Sequence, residues 1–319
     1  MQRRYATTDV FTDRTFGGNP LSVVLDAEGL SAAQMQAIAG EFNYSETTFV
    51  LPPDDPAHTA RVRIFTPRTE VPFAGHPNVG TAFVLSRQGA FKTQADSGIF
   101  VFEEAAGLVP LTLLREGGTV VGAELRAPQT LSRGSVVSRE IAAACLSLDT
   151  ADIATHVHAP QVVSVGLPFL AVELRSREAL QRSRPHFAAH ALHLPLDGAD
   201  SVFAYWREPG ESGAARETVL HARMFSPLDG VVEDPATGSA CAAAIALLAT
   251  LAGDDEALRA WRIHQGVDMG RPSLLLGRTA ARNSAVVSTH IGGRCVPMFE
   301  GVFSADARIY GVDATPSFN

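Results

Sequence analysis

The sequence predicts an α+β fold of two pseudo-equivalent lobes, built from mixed or antiparallel sheets with few helices. Three observations predict it. Short segments rich in branched and aromatic residues recur along the chain, bounded by Gly, Pro, Asp and Asn, which is how strands separated by turns look. Few stretches carry helical spacing. A glycine-proline knot also occurs twice, as "GHPNVGTA" (residues 75–82) and "EDPATGSA" (residues 233–240), each time ahead of an apolar run.

From the N-terminus, "YATTDVF" and "LSVVLD" read as strands, followed by a helix in "LSAAQMQAIAGEF". Ser31 is its N-cap candidate, and Met35, Ile38, Ala39 and Phe42 give it one apolar face. "TTFVLP" and "ARVRIFTP" are the next strands, before the first knot and its helix. The stretch "GGTVVGAELRAPQTLSRGS" has the Gly, Pro and Ser content of a crossover. Beyond it come "VVSVGL", "FLAVEL", "SVFAYW" and "HARMFSP", then the second knot with an Ala-rich helix, and finally "SAVVSTHIGG" and "CVPMFEGVF".

The repeat extends past the knots. "RVRIFTP" resembles "HARMFSP", and "GGNPLSVVLD" pairs with "VGLPFLAVEL". These pairs are offset by roughly 150 to 160 residues, which points to two similar halves. The same alignment sets His76 against Asp234. The expected division is an N-terminal lobe over 1–125 with 305–319 returning to it, and a C-terminal lobe over 126–304.

Composition narrows the function classes. A hydrophobic fraction of 46% with 19% charged residues is that of an ordinary soluble globular chain. The net charge is −8, Lys92 is the only lysine and no Lys/Arg run stands out, so no nucleic-acid partner is expected. Cys145, Cys241 and Cys295 are odd in number and widely spaced, giving neither a disulfide framework nor a metal knuckle. A reducing cytoplasm is the expected setting. The N-terminus lacks the apolar core of a signal peptide. The longest apolar run, "SACAAAIALLATLAG", is too short to span a bilayer comfortably, so no membrane association is expected.

The knots carry the chemistry. A helix start leaves backbone N–H groups unpaired and bears partial positive charge, and proline is tolerated in the first turn. Gly80 and Gly238 would let the backbone approach a ligand, with the Thr81 and Ser239 hydroxyls beside them. One such knot is simply a helix with a tight entry turn. Two, with titratable residues at matched positions, form an anion cradle able to grip a small carboxylate. His76 and Asp234 should then meet across a cleft, where a carboxylate beside an imidazole favours the charged form of both.

Glu46 stands where the first helix gives way to a strand, among Tyr44, Ser45 and two threonines; spacing alone leaves it a surface acid. Arg63 and Arg223 precede equivalent turns and are read as structural, with the cleft as the alternative. His156 and His158 have strand spacing that could hold a metal, but no third ligand is evident nearby, and no metal is expected.

The segments "GGNPLSVVLD", "NYSETTFV", "FAGHPNVGTA", "EDPATGSA", "HQGVDMGRPS" and "IGG" (residues 291–293) together resemble the phenazine-biosynthesis PhzF-like isomerase family, in order and over nearly the whole chain. The resemblance implies the diaminopimelate epimerase-like fold: two lobes, each a β-barrel-like sheet around a central helix, with the active site between them. It implies a cofactor-independent isomerase in which Glu46 shuttles a proton between carbons and His76, Asp234 and Ser239 complete the site. Gly75 and Gly238 would supply backbone donors for a small-molecule carboxylate substrate, and a homodimer is implied as well. Amino-acid racemases of this fold use two thiols, one per lobe, whereas neither knot here contains cysteine. Asn78 and Ser22 depart from the residues common in relatives, which leaves the substrate open. The competing readings are an amino-acid-type racemase or epimerase using other side chains, and a non-catalytic small-molecule-binding member of the fold.

Overall fold

A computed structural model describes residues 2–209, 217–253 and 256–305. The expected return of 305–319 to the first lobe therefore falls, from residue 306 onward, outside the described residues.

The first half contains β1 (Gln2–Val10), β2 (Asn19–Val24), α1 (Ala32–Phe42), β3 (Glu46–Leu51), β4 (Ala60–Phe65) and β5 (Glu70–Val71). It continues with α2 (Gly75–Ser86), α3 (Lys92–Ser97), β6 (Ile99–Glu104), β7 (Gly107–Glu116) and β8 (Thr119–Arg126). β1 pairs antiparallel with β2, β2 parallel with β3, and β3 antiparallel with β4. β4 then takes the short β5 antiparallel and β6 parallel, and the β6–β7–β8 meander follows.

The second half opens with β9 (Ser132–Val136), α4 (Arg139–Leu146), β10 (Gln161–Ser164) and β11 (Pro168–Glu173). After α5 (Arg177–Arg182) and α6 (Phe187–His193) come β12 (Val202–Arg207), β13 (Glu217–Ser226), β14 (Val231–Asp234) and α7 (Gly238–Ala252). β15 (Glu256–Gln265), β16 (Ser273–Arg282) and β17 (Ala285–Ser304) complete it. From β10 to β17 the pairing senses repeat those of β1 to β8 one for one. In both halves a helical crossover joins each of the two parallel pairs, as α1 does for β2 and β3 and α2 with α3 for β4 and β6.

Each half closes its barrel with a strand of the other. β17 pairs with β8 through its first part, Ile291 opposite Leu125, and with β1 through its second, Cys295 opposite Val10. That closes a mixed eight-stranded barrel. Reciprocally, β8 flanks β17 and the chain runs on into β9, which pairs with β10. The stretch expected to be a plain crossover is thus two strands with a short link. The two segments expected at the C-terminal end are one continuous strand, β17. The sequence pattern misled because these strands serve both barrels, so their two faces change environment along their length.

Helices α2 and α7 fill the barrels. Residues 75–85 of α2 are all buried, as is nearly all of α7 up to Ala249. A helix apolar on every side suits a position ringed by strands. Ser31 caps α1 as expected, in a full capping box with Gln34. No helix among the described residues is long and apolar enough to cross a membrane.

One device occurs in both halves just before the central helix. Arg63 grips Glu70 through two bonds of 2.7 Å, and Arg223 grips Glu233 in the same way. Each guanidinium also lies over a ring two residues on, Phe65 at 5.2 Å and Phe225 at 5.0 Å. Arg223 further donates to the carbonyls of Leu180, Gln181 and Ser183. These forks pin the hairpins from which the chain enters α2 and α7. Both arginines are structural.

Candidate active site

The fork glutamates and the helix starts share one register of the repeat, which the fork arginines, on the longer strands before them, do not. The offset between Glu70 and Glu233 is the same as that between Gly75 and Gly238, the first residues of α2 and α7. His76 therefore corresponds to Ser239, and not to Asp234 as the knots suggested. Asp234 ends β14, ahead of the helix. Gly80, expected at the ligand, lies inside α2. A Cβ there would come within 2.5 Å of Leu21 Cδ2 and 2.7 Å of Val10 Cγ2, so glycine at this position serves close helix–sheet packing. Thr81 is likewise internal, bonded to Thr48 at 2.8 Å.

The two helix starts abut. A Cβ on Gly75 would lie 3.4 Å from the Ser239 amide nitrogen and 3.5 Å from Gly238 Cα. Neither helix has a side-chain cap or an acidic residue in its first turn. Their first N–H groups and the two positive helix ends thus face a common point. Gly75 and Ser239 line a crevice there, walled by Phe73, Leu125, Val165, Leu167, Ala242 and Ile291, with about 10 Å³ of free volume. That is room for about one water. Glu46, His76 and Asp234 line neither this crevice nor the larger depressions of 670 and 270 Å³.

Glu46, His76 and Asp234 converge through the ends of three elements. Glu46 begins β3, and its Oε2 lies 3.4 Å from His76 Nδ1. Asn19 begins β2 and joins the others: its Nδ2 donates to Asp234 Oδ1 at 2.8 Å and to the Ala236 carbonyl at 3.0 Å. Those two bonds use both amide protons, so Asn19 has none left for His76 Nδ1, 3.4 Å away. The imidazole is then left with the Pro20 backbone, to which it hydrogen-bonds, and the Glu46 carboxyl beside it.

Asp234 also accepts from Ser45 at 3.1 Å and Thr237 at 2.5 Å. Gln265 locks the segment, donating to the Asp234 carbonyl at 2.8 Å and to Thr237 Oγ1 at 3.0 Å while accepting from the Thr237 amide at 3.1 Å. Asn19, Thr237 and Gln265 were missed as site residues. Their signal was present only as membership in quoted segments, because hydrogen-bond partners far apart in sequence leave no periodicity.

Desolvation decides the charge states, against the expectation of a charged imidazole–carboxylate pair. Burial pushes the Glu46 carboxyl up to about 8, and the negative charge of Asp234 adds to the effect. Burial raises Asp234 to about 6, opposed by the hydrogen bonds from Thr237, Ser45 and Asn19. Burial takes His76 down to about 3. His76 is therefore neutral, and its Nε2 is enclosed without a hydrogen-bond partner among the described residues. A partly buried Glu46, its side chain 19% exposed, a buried Asp234 and a neutral imidazole form a proton-handling group with more than one accessible protonation state near neutrality.

The thiols play no such part. Cys241 is buried in α7 with its Sγ 3.5 Å from Gln265 Oε1, and burial raises its pKa well above the usual thiol value. His158 is bonded to Tyr205 and to the Ala159 carbonyl, whereas His156 is exposed. Among the described residues no group of three His, Cys, Asp or Glu side chains is placed to hold a metal.

A family profile described as phenazine biosynthesis-like protein matches residues 8–301. The chain belongs to that family. Among its relatives, an uncharacterized isomerase of Mesorhizobium japonicum is 38% identical over 94% of this chain and 98% of its own length. The trans-2,3-dihydro-3-hydroxyanthranilate isomerase of Pseudomonas chlororaphis is 37% identical over 93% and 98%. A PhzF-family phenazine biosynthesis protein from Bacillus anthracis superposes with a TM-score of 0.79 at 23% identity, over 96% of this chain and 100% of that one. The phenazine biosynthesis-like relatives named for an activity are isomerases, and this chain is an isomerase.

Proposed function

We propose that this isomerase moves a proton between two carbons of a small carboxylate, with Glu46 as the single acid/base shuttle. The observation that carries the reading is the Glu46 carboxyl, raised to about 8 and set 3.4 Å from a neutral imidazole. A carboxylate of that basicity removes a carbon-bound proton more readily than an exposed one. The same group, now protonated, returns the proton to a second carbon of the same face as the double bond shifts. Atoms and charge balance within the substrate, so no redox partner is required.

The substrate carboxylate is assigned to the amides of Gly75 and Gly238 and the Ser239 hydroxyl. Negative charge developing next to that carboxylate would be met by helix-end dipoles already in place. His76, neutral, stands beside Glu46 with Nδ1 3.4 Å from its Oε2, and Asp234 accepts from Ser45, Thr237 and Asn19 around them. The apolar crevice walls suit a ring or an unsaturated carbon skeleton. Its small free volume means that the lobes must part for a substrate to enter.

The first substrate to test is trans-2,3-dihydro-3-hydroxyanthranilate, for which three relatives are named. Turnover in deuterated water should place deuterium on carbon in the product in proportion to how far protonated Glu46 exchanges with solvent before it returns the proton, and Glu46→Gln should reduce turnover by ~10²–10⁴-fold. Unchanged turnover in that variant would remove Glu46 from the mechanism. Inversion at one carbon without double-bond movement would instead identify an epimerase. Because the carboxylate form must act first, kcat/KM should rise with pH to a midpoint near the Glu46 value of about 8.

A further inference from the structure

Strand register assigns each member of the proton-handling group a counterpart in the other half. Thr47 faces Phe65 and Val202 faces Phe225, so Glu46 corresponds to Ser201. Ser22 faces Thr47 and Leu170 faces Val202, which sets Asn19 against Leu167. Ile64 faces Val71 and Met224 faces Asp234, so Val71 takes the place of Asp234, as Ser239 takes that of His76. None of these counterparts titrates near neutrality. Leu167 and Ser239 both line the crevice at the helix junction, and no lining residue there is an acid or a base. The crevice is thus the repeat's other copy of the acid/base side, kept for binding.

A larger space adjoins it. Phe73, Ala127 and Pro128 line the crevice and also line the depression of 270 Å³. The link between β8 and β9 is the sill between the two. Its Ala127 amide donates at 2.8 Å to the carbonyl of Thr289, which lines the depression. Its Gln129 amide donates at 3.1 Å to the carbonyl of Val165, which lines the crevice. Pro128 lies so close to the crevice wall that a Cβ on Gly166 would come within 2.8 Å of its Cγ.

The depression has the make-up of a ligand pocket, apolar surface with a few polar groups. Leu108, Pro110, Val286 and Val287 supply the first, Gln129 and Thr130 the second. Its one charged residue is Arg126, the end of β8. Among the described residues that guanidinium makes a single hydrogen bond, from Nη2 to the Val287 carbonyl at 3.0 Å, and no ion pair. Glu124, two residues earlier on the strand, is taken by Arg278. Most of the five donors of Arg126 are left for a ligand, and a planar guanidinium fits a carboxylate best.

We propose that this depression is a second substrate subsite, joined to the crevice when the lobes part, with Arg126 as its specificity-determining residue. It takes the end of the substrate remote from the first carboxylate. The chemistry it recognises is a second carboxylate on a ring or unsaturated skeleton. This narrows the substrate class from a small carboxylate to a dicarboxylate, and it rests on the preceding subsection for where the first carboxylate sits. Trans-2,3-dihydro-3-hydroxyanthranilate has one carboxylate and would leave Arg126 unused.

Calorimetric binding of benzoate and of terephthalate, the same ring with a second carboxylate, to the full chain tests it. Wild type should bind terephthalate ~5- to 10-fold more tightly than benzoate. Arg126→Glu should abolish that preference without weakening benzoate, and Arg126→Lys, which keeps the charge, should retain part of it. Ser239→Ala, in the cradle, should weaken both ligands alike. The subsite is overturned by equal affinity of wild type for the two, by no binding of terephthalate at millimolar concentration, by a preference that survives Arg126→Glu, or by an equal loss of both ligands in that variant. If Ser239→Ala changes neither ligand while the Arg126 effect stands, the assignment of a carboxylate to the cradle fails and the subsite remains.

Discussion

At Glu46, chemistry and stability pull in opposite directions. Its carboxyl is pushed to about 8 from an ordinary value of 4.5. The unfolded chain releases that proton more easily than the folded one, so the folded state loses stability as pH rises from ~4.5 to ~8 and recovers none above it. Glu46→Gln should therefore raise the unfolding temperature at neutral pH, by a margin that vanishes near pH 4, while losing turnover; calorimetry across that range checks the sign. Asp234 contributes through its charge. Asp234→Asn should let Glu46 ionise more easily and move the acid limb of the rate profile to lower pH, readable from kcat/KM. A limb that stays in place would show that burial alone sets the Glu46 value.

How much of this was legible depended on the kind of signal. Glu46, His76, Asp234, Gly75, Gly238 and Ser239 were all named from the sequence, and the structure brings all six to the junction of the central helices. The internal logic of the repeat was misjudged. Sequence similarity aligned His76 with Asp234 because both precede a proline, whereas helix geometry aligns His76 with Ser239. Proline tolerates both the first turn of a helix and the turn before it, so it marks the neighbourhood and not the register. Gly80 misled for a related reason: a glycine required by Leu21 and Val10 is indistinguishable in sequence from one required by a ligand.

At the scale of elements, the duplicated Arg–Glu forks have the same geometry in different surroundings. Side chains of Arg223 and Glu233 are 5% and 13% exposed, against 29% and 38% for Arg63 and Glu70. Removing one partner of a buried pair leaves an uncompensated charge and costs about 3–5 kcal/mol. At a half-exposed pair, water takes over and the cost is at most about 1 kcal/mol. Glu233→Ala should thus destabilise far more than Glu70→Ala, by denaturant titration. Equal losses would show that the forks act by hairpin geometry and not by charge burial. Strands were legible wherever one face met the core throughout, as in β1 to β4. β15 and β16 were overlooked since their arginines dilute the alternation, and β8 was taken for a crossover because Gly117 and Gly118 precede it and Gly122 lies within it.

At the scale of the molecule, the closing strands decide what can fold. A chain divided between residues 129 and 130 should reassemble when both pieces are co-expressed, because β17 holds β1 and β8 of the other piece through two ladders. Either piece alone exposes unpaired edges and should precipitate or self-associate; size-exclusion chromatography distinguishes the outcomes. The reciprocal loan of one stave per barrel also bears on origin. A half-length ancestor could have sealed its cylinder only by trading that stave with an identical neighbour, so the present polypeptide amounts to an exchanged pair made permanent by fusion. The junction where its proton chemistry is placed would then have begun as the meeting face of two copies.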